Sequence, residues 1–386
     1  MTSASADEFR LELRAWLTEH CTDDVRAAGR GYGDDAAFAA ARVWNAQLFD
    51  AGYAAIGWPK AYGGRDAGIL EQLAYNEEMA AFEAPGVVNA IGVANIGPAI
   101  MALGTDEQRS RYLGPMLRGE EIWSQGMSEP DAGSDLASLR TKAELDGDEF
   151  VINGQKTWNS LGHRADFCQL YVRTDPTAAK HRGITCVIVD MRSPGITVKP
   201  ITTMAGGTDF ADVFFDSVRV PVSSVLGEIN SGWKVATSTL GYERAGVASL
   251  ALALEAKCAK VLAAAQVAGP DGRRPWDDPV KRSQLMVRYI QVRNLTLLAN
   301  RSIGIALRGG VPGAEGSVIK LAWSTTDQAL SRTAVDVLGS PAVDDHWGAS
   351  LVQSCSITIA GGTSEVNKNI IAERVLGLPR DPSPAV

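Results

Sequence analysis

The stretch WSQGMSEPDAGSDLASL (residues 123–139) divides the chain into two kinds of sequence. Before it, apolar residues recur at helical spacing; after it come short runs rich in β-branched and aromatic residues. The stretch itself offers the hydroxyls of Ser124, Ser128 and Ser134 and the backbone amides around Gly133. Hydroxyls and exposed N–H groups at such a junction are able to bind a pyrophosphate or a ring carbonyl. The same composition also fits an ordinary loop that carries helix caps.

Upstream, residues 7–20 place Phe9, Leu13, Trp16 and Leu17 on one helical face, and residues 35–51 and 68–82 repeat the pattern. GWPKAYGG (57–64) is a Gly/Pro turn between the last two, and Thr105 opens TDEQ as a helix N-cap with acids in the first turn. Downstream, RTKAEL (140–145), EFVI (149–152) and QKTW (155–158) read as successive strands. Tight turns at Asp146-Gly147-Asp148 and Asn153-Gly154 join them. ADFCQLYVRT, GITCVIVDM, GITVKPI and ADVFFDSVRVP continue as strands.

After Trp233 the pattern turns helical again, with a Gly/Pro/Asp-rich break at 269–279 and further helices at 314–338 and 365–376. The expected fold is therefore multi-domain, α and β. It has a helical domain at 1–121, a β-barrel or sandwich at 122–231 and a helical bundle at 232–386. With no βα alternation and no internal repeat, a doubly wound sheet is disfavoured.

The 386 residues are 45% hydrophobic and 21% charged, the balance of a soluble globular protein. A net charge of −8 argues against nucleic-acid binding. The five Cys, widely spaced and without a CxxC, read as free thiols of a reducing, cytoplasmic compartment. Four His leave little scope for a metal centre. The N-terminus has acids at 7 and 8 and no apolar core, so it does not read as a signal peptide. Residues 84–105 carry no charge, yet Pro85, Asn89, Asn95, Pro98 and four Gly argue for buried core helices rather than a membrane span. Gly29-Arg-Gly31-Tyr-Gly33 follows a helix, not a strand, which removes a dinucleotide fingerprint. There is no GxxxxGK[ST], HExxH or GxSxG.

SEPDAGSD (128–135) closely resembles the signature of the acyl-CoA dehydrogenases, flavoproteins with that loop at the same junction. Three more resemblances follow in the family's order: INGQKTWNS (152–160), FFDSVRVP through GWKVATSTLGYER (214–244), and AGGTSEVNKNIIAERVLGLPR (360–380). Together they span essentially the whole chain. The resemblance implies FAD bound between the β domain and the C-terminal helices. Gln125, Met127 and Ser128 would line the isoalloxazine, and Ser134 would hold the pyrophosphate. Trp158 would pack on the ring and Ser160 would donate to N5. Thr363 and Glu365 would touch the cofactor from the C-terminal turn. The implied reaction is α,β-desaturation of an acyl thioester, in which a carboxylate takes the α-proton and N5 receives the β-hydride.

The sequence departs from the commonest family pattern at the base. Many members carry Glu directly before Gly-Thr in the C-terminal turn, where this chain has Gly361. A smaller set, including isovaleryl-type, long-chain and actinobacterial steroid-degrading enzymes, has Glu before Arg on the first long C-terminal helix. Here that motif is Tyr242-Glu243-Arg244, which makes Glu243 the expected base. Ser134, Tyr242, Arg244 and Gly361 are the substrate-side positions.

Two inter-subunit FAD contacts of the family also differ. Arg273 is the candidate for the usual Arg, and Asp336 stands where Gln is expected. A homotetramer or an α2β2 heterotetramer is expected, with electron-transferring flavoprotein as acceptor. The alternatives are a flavin monooxygenase on the same fold, a FAD-sharing subunit of a heteromeric dehydrogenase, and an enzyme acting on carrier-protein thioesters.

Overall fold

The computed structural model describes residues 3–29, 34–245, 247–269, 272–308, 310, 313–343 and 346–380. Within these ranges it leaves out the side chains of 3–4, 28, 240–249 and 341. Contacts group the chain into two compact units, Met1–Glu243 and Arg244–Val386.

The first unit begins with helices α1 (Ser3–His20), α2 (Asp23–Ala28), α3 (Asp35–Asp50) and α4 (Ile69–Ala81). A π turn (Gly92–Ile96) then runs into α5 (Gly97–Leu103), and α6 (Asp106–Arg118) follows. Leu13 and Leu17 of α1 are fully buried beside Trp44 and Leu48 of α3, as the helical spacing predicts. The Thr105 N-cap is a full capping box: Thr105 Oγ1 accepts from Gln108 N, and Gln108 Oε1 accepts from Thr105 N. The uncharged stretch 84–105 forms short helical pieces, with Ile96, Ala99 and Ile100 fully buried. Among the described residues, no helix is long and apolar enough to cross a membrane. Gly29 caps α2, in keeping with a helix ahead of the Gly-rich run, and 30–33 lie outside the described residues.

Seven strands follow: β1 (Trp123–Gly126), β2 (Lys142–Asp146), β3 (Glu149–Ser160), β4 (Phe167–Arg173), β5 (Ile184–Asp190), β6 (Ile196–Ile201) and β7 (Phe210–Pro221). They form one mixed sheet in the order β1-β4-β2-β3-β7-β6, with β5 on β4. β1 and β2 each run parallel to β4, and the other pairings are antiparallel. One face packs its own core of Phe150, Ile152, Leu170, Val187, Val213 and neighbours.

Asn153-Gly154 is not the expected hairpin turn. β3 runs through it unbroken, and the register against β7 shifts between Ile152 and Gly154. Two steps along β3 match three along β7, so the extra residue lies on β7 near Ser217 (φ +53°). Gly154 meets a different demand, a close approach: a Cβ there would lie 2.6 Å from Thr141 Oγ1 and 2.7 Å from its Cα, where β3 passes the start of β2.

Helix α7 (Gly232–Ala245) starts where the helical pattern resumes. Its first turns belong to the first unit: Val235 and Ala236 are buried in the core that Trp123 and Tyr171 share. The second unit holds α8 (Val247–Ala264), α9 (Pro279–Leu307), α10 (Glu315–Leu338), α11 (His346–Ile357) and α12 (Ser364–Ile370). α8, α9 and α10 pack around Leu254, Val261, Leu285, Val292, Leu295, Leu330 and Val337. Helix α11 escaped the sequence reading, because its pattern WGASLVQSCSI is short and has small polar residues between the apolar ones.

Candidate functional site

The quoted loop leaves β1 at Gly126 and turns sharply at Glu129–Ala132, where Glu129 N donates to Ala132 O (2.9 Å) and Ala132 N to Glu129 O (3.1 Å). The Glu129 carboxylate is buried beneath the turn. It accepts from Arg140 N (2.7 Å), Thr141 N (2.8 Å) and Lys156 Nζ (2.8 Å). Burial alone would raise its pKa. The Lys156 ammonium and the backbone donors outweigh that and hold it below the ordinary 4.5. Lys156, fully buried, also donates to Met127 O at 3.0 Å.

The loop and β3 meet directly through Thr157 N, which donates to Ser128 O at 2.9 Å. Ser128 and Trp158, the residues singled out for ring contact, thus lie next to one shared hydrogen bond. Trp158 sits in the left-handed region (φ +60°) and is 57% exposed, with the Phe210 ring set edge-on to it, 5.8 Å between ring centres. A non-glycine residue is rarely held there, and such positions concentrate at functional sites. Gln125, Met127, Ser128 and Ser160 are half-buried, while Ser134 is exposed beside Gly133. An exposed indole, half-buried hydroxyls and an open glycine turn fit a flat, heteroatom-rich ring with a phosphate tail.

A second chain of contacts leads from this loop into α7. Gln125 Nε2 donates to Gln169 Oε1 (3.0 Å), and Gln169 Nε2 reaches Thr239 Oγ1 at 3.5 Å. The Tyr171 hydroxyl also meets Thr239 Oγ1, at 3.4 Å. Thr239 is therefore pinned on the sheet, and position 243 falls one helical turn beyond it on α7. The side chains of Tyr242, Glu243 and Arg244 lie outside the described residues.

In the second unit, Thr363 is the N-cap of α12, accepting from Val366 N at 3.1 Å, and Glu365 is exposed in the first turn. Gly361 (φ +66°) and Gly362 (φ +88°) make the turn before it. Both angles suit glycine, so a glutamate at 361 would be strained in this backbone. Lys320 of α10 donates to Gly362 O (2.7 Å) and Ile357 O (3.0 Å), and Asn367 Nδ2 donates to Gly362 O (2.8 Å). Arg273 is exposed in the loop before α9, and Asp336 is exposed on α10.

Sequence reading missed Glu129, Lys156, Gln169, Thr239 and Lys320. The first two stand inside the quoted motifs, but their partners become visible only when the strands pair. Among the described residues, no cluster of His, Cys, Asp and Glu forms a metal site, and the five cysteines are free.

Residues 3–120, 124–218 and 230–376 match, in turn, the N-terminal, middle and C-terminal domains of acyl-CoA dehydrogenase. Over 97% of its length the chain is 38% identical to acyl-CoA dehydrogenase IpdE1 of Mycobacterium tuberculosis, covering 98% of that protein. The chain belongs to the acyl-CoA dehydrogenase family. Among solved structures, a steroid ACAD named Tcur3481-Tcur3483 is similar over 99% of both chains (TM-score 0.86, 32% identity). The ChsE4-ChsE5 complex of Mycobacterium tuberculosis is similar over 99% of both chains (TM-score 0.84, 32% identity). As an acyl-CoA dehydrogenase, the protein is a flavin-dependent oxidoreductase.

Proposed function

We propose that this acyl-CoA dehydrogenase desaturates an acyl-CoA thioester between Cα and Cβ, with FAD as the flavin and Glu243 as the base. The observation that carries the assignment is the anchoring of α7. Thr239, one turn before Glu243, is tied through Gln169 to Gln125 in the strand that enters the signature loop. The alternative position, 361, is a glycine with φ +66°. Bound FAD supplies the hydride acceptor.

The chain's own residues divide the remaining work. Gln125, Met127, Ser128, Trp158 and Ser160 seat the ring, and Ser134 receives the phosphates. Arg273, Thr363 and Glu365 complete the cofactor's surroundings. Glu243 takes the α-proton, for which a desolvated carboxylate with a raised pKa is required. Tyr242, Arg244 and Gly361 are assigned to the thioester as its substrate-side positions. The paired glycines 361–362 leave room for a bulky acyl group, in keeping with the steroid ACAD among the similar structures.

The domains are read as 1–121, 122–231 and 232–386. An α2β2 assembly is the preferred reading over a homotetramer. Asp336 is exposed on α10 where the family's FAD-binding Gln is expected, and two of the similar structures carry paired names. Electron-transferring flavoprotein is the acceptor in this reading.

The test is anaerobic reduction of the FAD-loaded protein by a panel of acyl-CoAs, for wild type and Glu243→Gln. Bleaching of the flavin band by a saturated thioester, lost in the variant, supports the assignment. Bleaching that survives the substitution removes Glu243 as base. No bleaching by any thioester, with an oxygen adduct formed from reduced flavin instead, brings forward the monooxygenase.

A further inference from the structure

The only substantial charge pair buried inside the β sheet among the described residues is Lys156–Glu129, and it lies between the two segments that seat the ring. Its placement follows from a second irregularity, this one in β3. Lys156 pairs with Val213 and Asn159 with Ala211, so three steps along β3 match two along β7. The extra residue turns both Lys156 and Asn159 to the buried face and swings Trp158 outward at φ +60°. It also frees Thr157 N to reach Ser128 O. Lys156 then grips Met127 O and Glu129, and Glu129 grips the backbone at 140–141. The close pass of Gly154 against Thr141 completes the ring of contacts.

Stability does not account for such a pair. Apolar residues of similar volume commonly replace a buried ion pair at no cost, or with a gain. Directional bonds do what apolar packing does not: they fix a carbonyl and a bulge at a set distance from each other.

We infer that Glu129 and Lys156 are positioning residues of the flavin site, holding Met127–Ser128 and the bulged Trp158 in the relative placement that receives the ring. The inference rests on the flavin reading above, and neither side chain takes part in proton or hydride transfer.

The test titrates FAD into the flavin-free full-length protein, wild type and three variants: Glu129→Gln, Lys156→Met and the double variant Glu129→Leu/Lys156→Met. Thermal unfolding of each flavin-free protein is measured alongside. Misplacing the seat is expected to raise the FAD Kd at least about tenfold in every variant. The double variant buries no orphan charge but leaves Arg140 N, Thr141 N and Met127 O without their partner, so its unfolding midpoint recovers part of the loss seen in Lys156→Met, while the Kd stays high and the bound-flavin bands stay shifted. A double variant that recovers stability, affinity and spectrum together overturns the inference, because the pair then acts only as core. If the double variant does not fold, Glu129→Gln decides, since it keeps shape and an acceptor oxygen: wild-type affinity there overturns the inference. Failure of the wild type to bind FAD both alone and in its α2β2 complex instead sinks the flavin reading, which keeps the two outcomes apart.

Discussion

Two buried lysines stand behind the two segments marked out by the sequence, and they are held in different ways. Lys156 in the sheet has a carboxylate, Glu129, and the Met127 carbonyl; Lys320 on α10 donates to the carbonyls of Ile357 and Gly362. An ammonium has three donors, and burial is tolerable only when they are occupied. Lys156 therefore shares its fate with a buried anion. Lys320 caps the last turn of α11 and the glycine turn beyond it, where orphan carbonyls gather. The first arrangement fixes one loop against one strand; the second fixes a turn whose backbone carries no side chain to hold it.

The largest effect expected from this contrast is on the flavin-free protein. Lys156→Met leaves Glu129 charged in the interior and should cost ~3–5 kcal/mol. Lys320→Met takes the donor from the Ile357 and Gly362 carbonyls, and for those two bonds the cost should be ~1–3 kcal/mol. Urea unfolding of both variants checks the order. Equal losses would break the comparison, because they would mean that the carboxylate adds nothing.

Acid should sharpen it. Glu129 has its folded pKa depressed below 4.5, so its contribution is full above the unfolded value and is lost as pH falls through the folded one. The pair's contribution should therefore fade below about pH 4.5, the ordinary value, and more steeply in wild type than in the Glu129→Leu/Lys156→Met double variant. Glu78, paired with Arg10 and Arg14, is depressed in the same direction and is common to both proteins, so the difference between them isolates Glu129. Unfolding midpoints measured between pH 3 and pH 7 provide the check. Parallel curves would show that Glu129 titrates alike in the folded and unfolded chain.

The same contrast explains how far the sequence could be read. Periodicity located α1, α3, α4 and the long helices of the second unit, because each buries one continuous apolar stripe. Motif resemblance singled out Ser128, Trp158 and Thr363, since those residues stand within contiguous strings. Neither route reached the pairings. Asn153-Gly154 has the letters of a hairpin turn, yet β3 continues through it, and the glycine is needed for its close pass against Thr141. Lys156 lies two positions before Trp158, and strict alternation put both on one face until the extra residue separated them. Lys320 is 42 residues from the turn it holds, a spacing that no local pattern encodes.

Removing the indole tests the bulge without touching either lysine. Trp158 is 57% exposed and strained, so Trp158→Gly should change the stability of the flavin-free protein by less than ~1 kcal/mol, relief of φ offsetting the lost edge contact with Phe210. FAD affinity should nevertheless fall about tenfold, the loss of one aromatic face. Stability measured by urea and affinity by fluorescence titration then separate seat from scaffold. A large stability loss would place Trp158 among the core residues instead.

The smallest expected effect lies at the glycine turn itself. Thr363 Oγ1 accepts from Val366 N, and Lys320 and Asn367 already hold the carbonyl one residue earlier. Thr363→Ala removes only the cap and should cost ~1 kcal/mol, whereas Thr363→Ser should keep nearly all of it. The fold should persist in both, because α12 is held by Asn367 in the buried layer as well as by its cap. Amide exchange at Val366 is the local measurement: faster in the alanine variant and unchanged in the serine one. If Thr363→Ala leaves that amide protected, Lys320 and Asn367 suffice to hold the turn without the cap, and the contrast with the Lys156 site becomes sharper still.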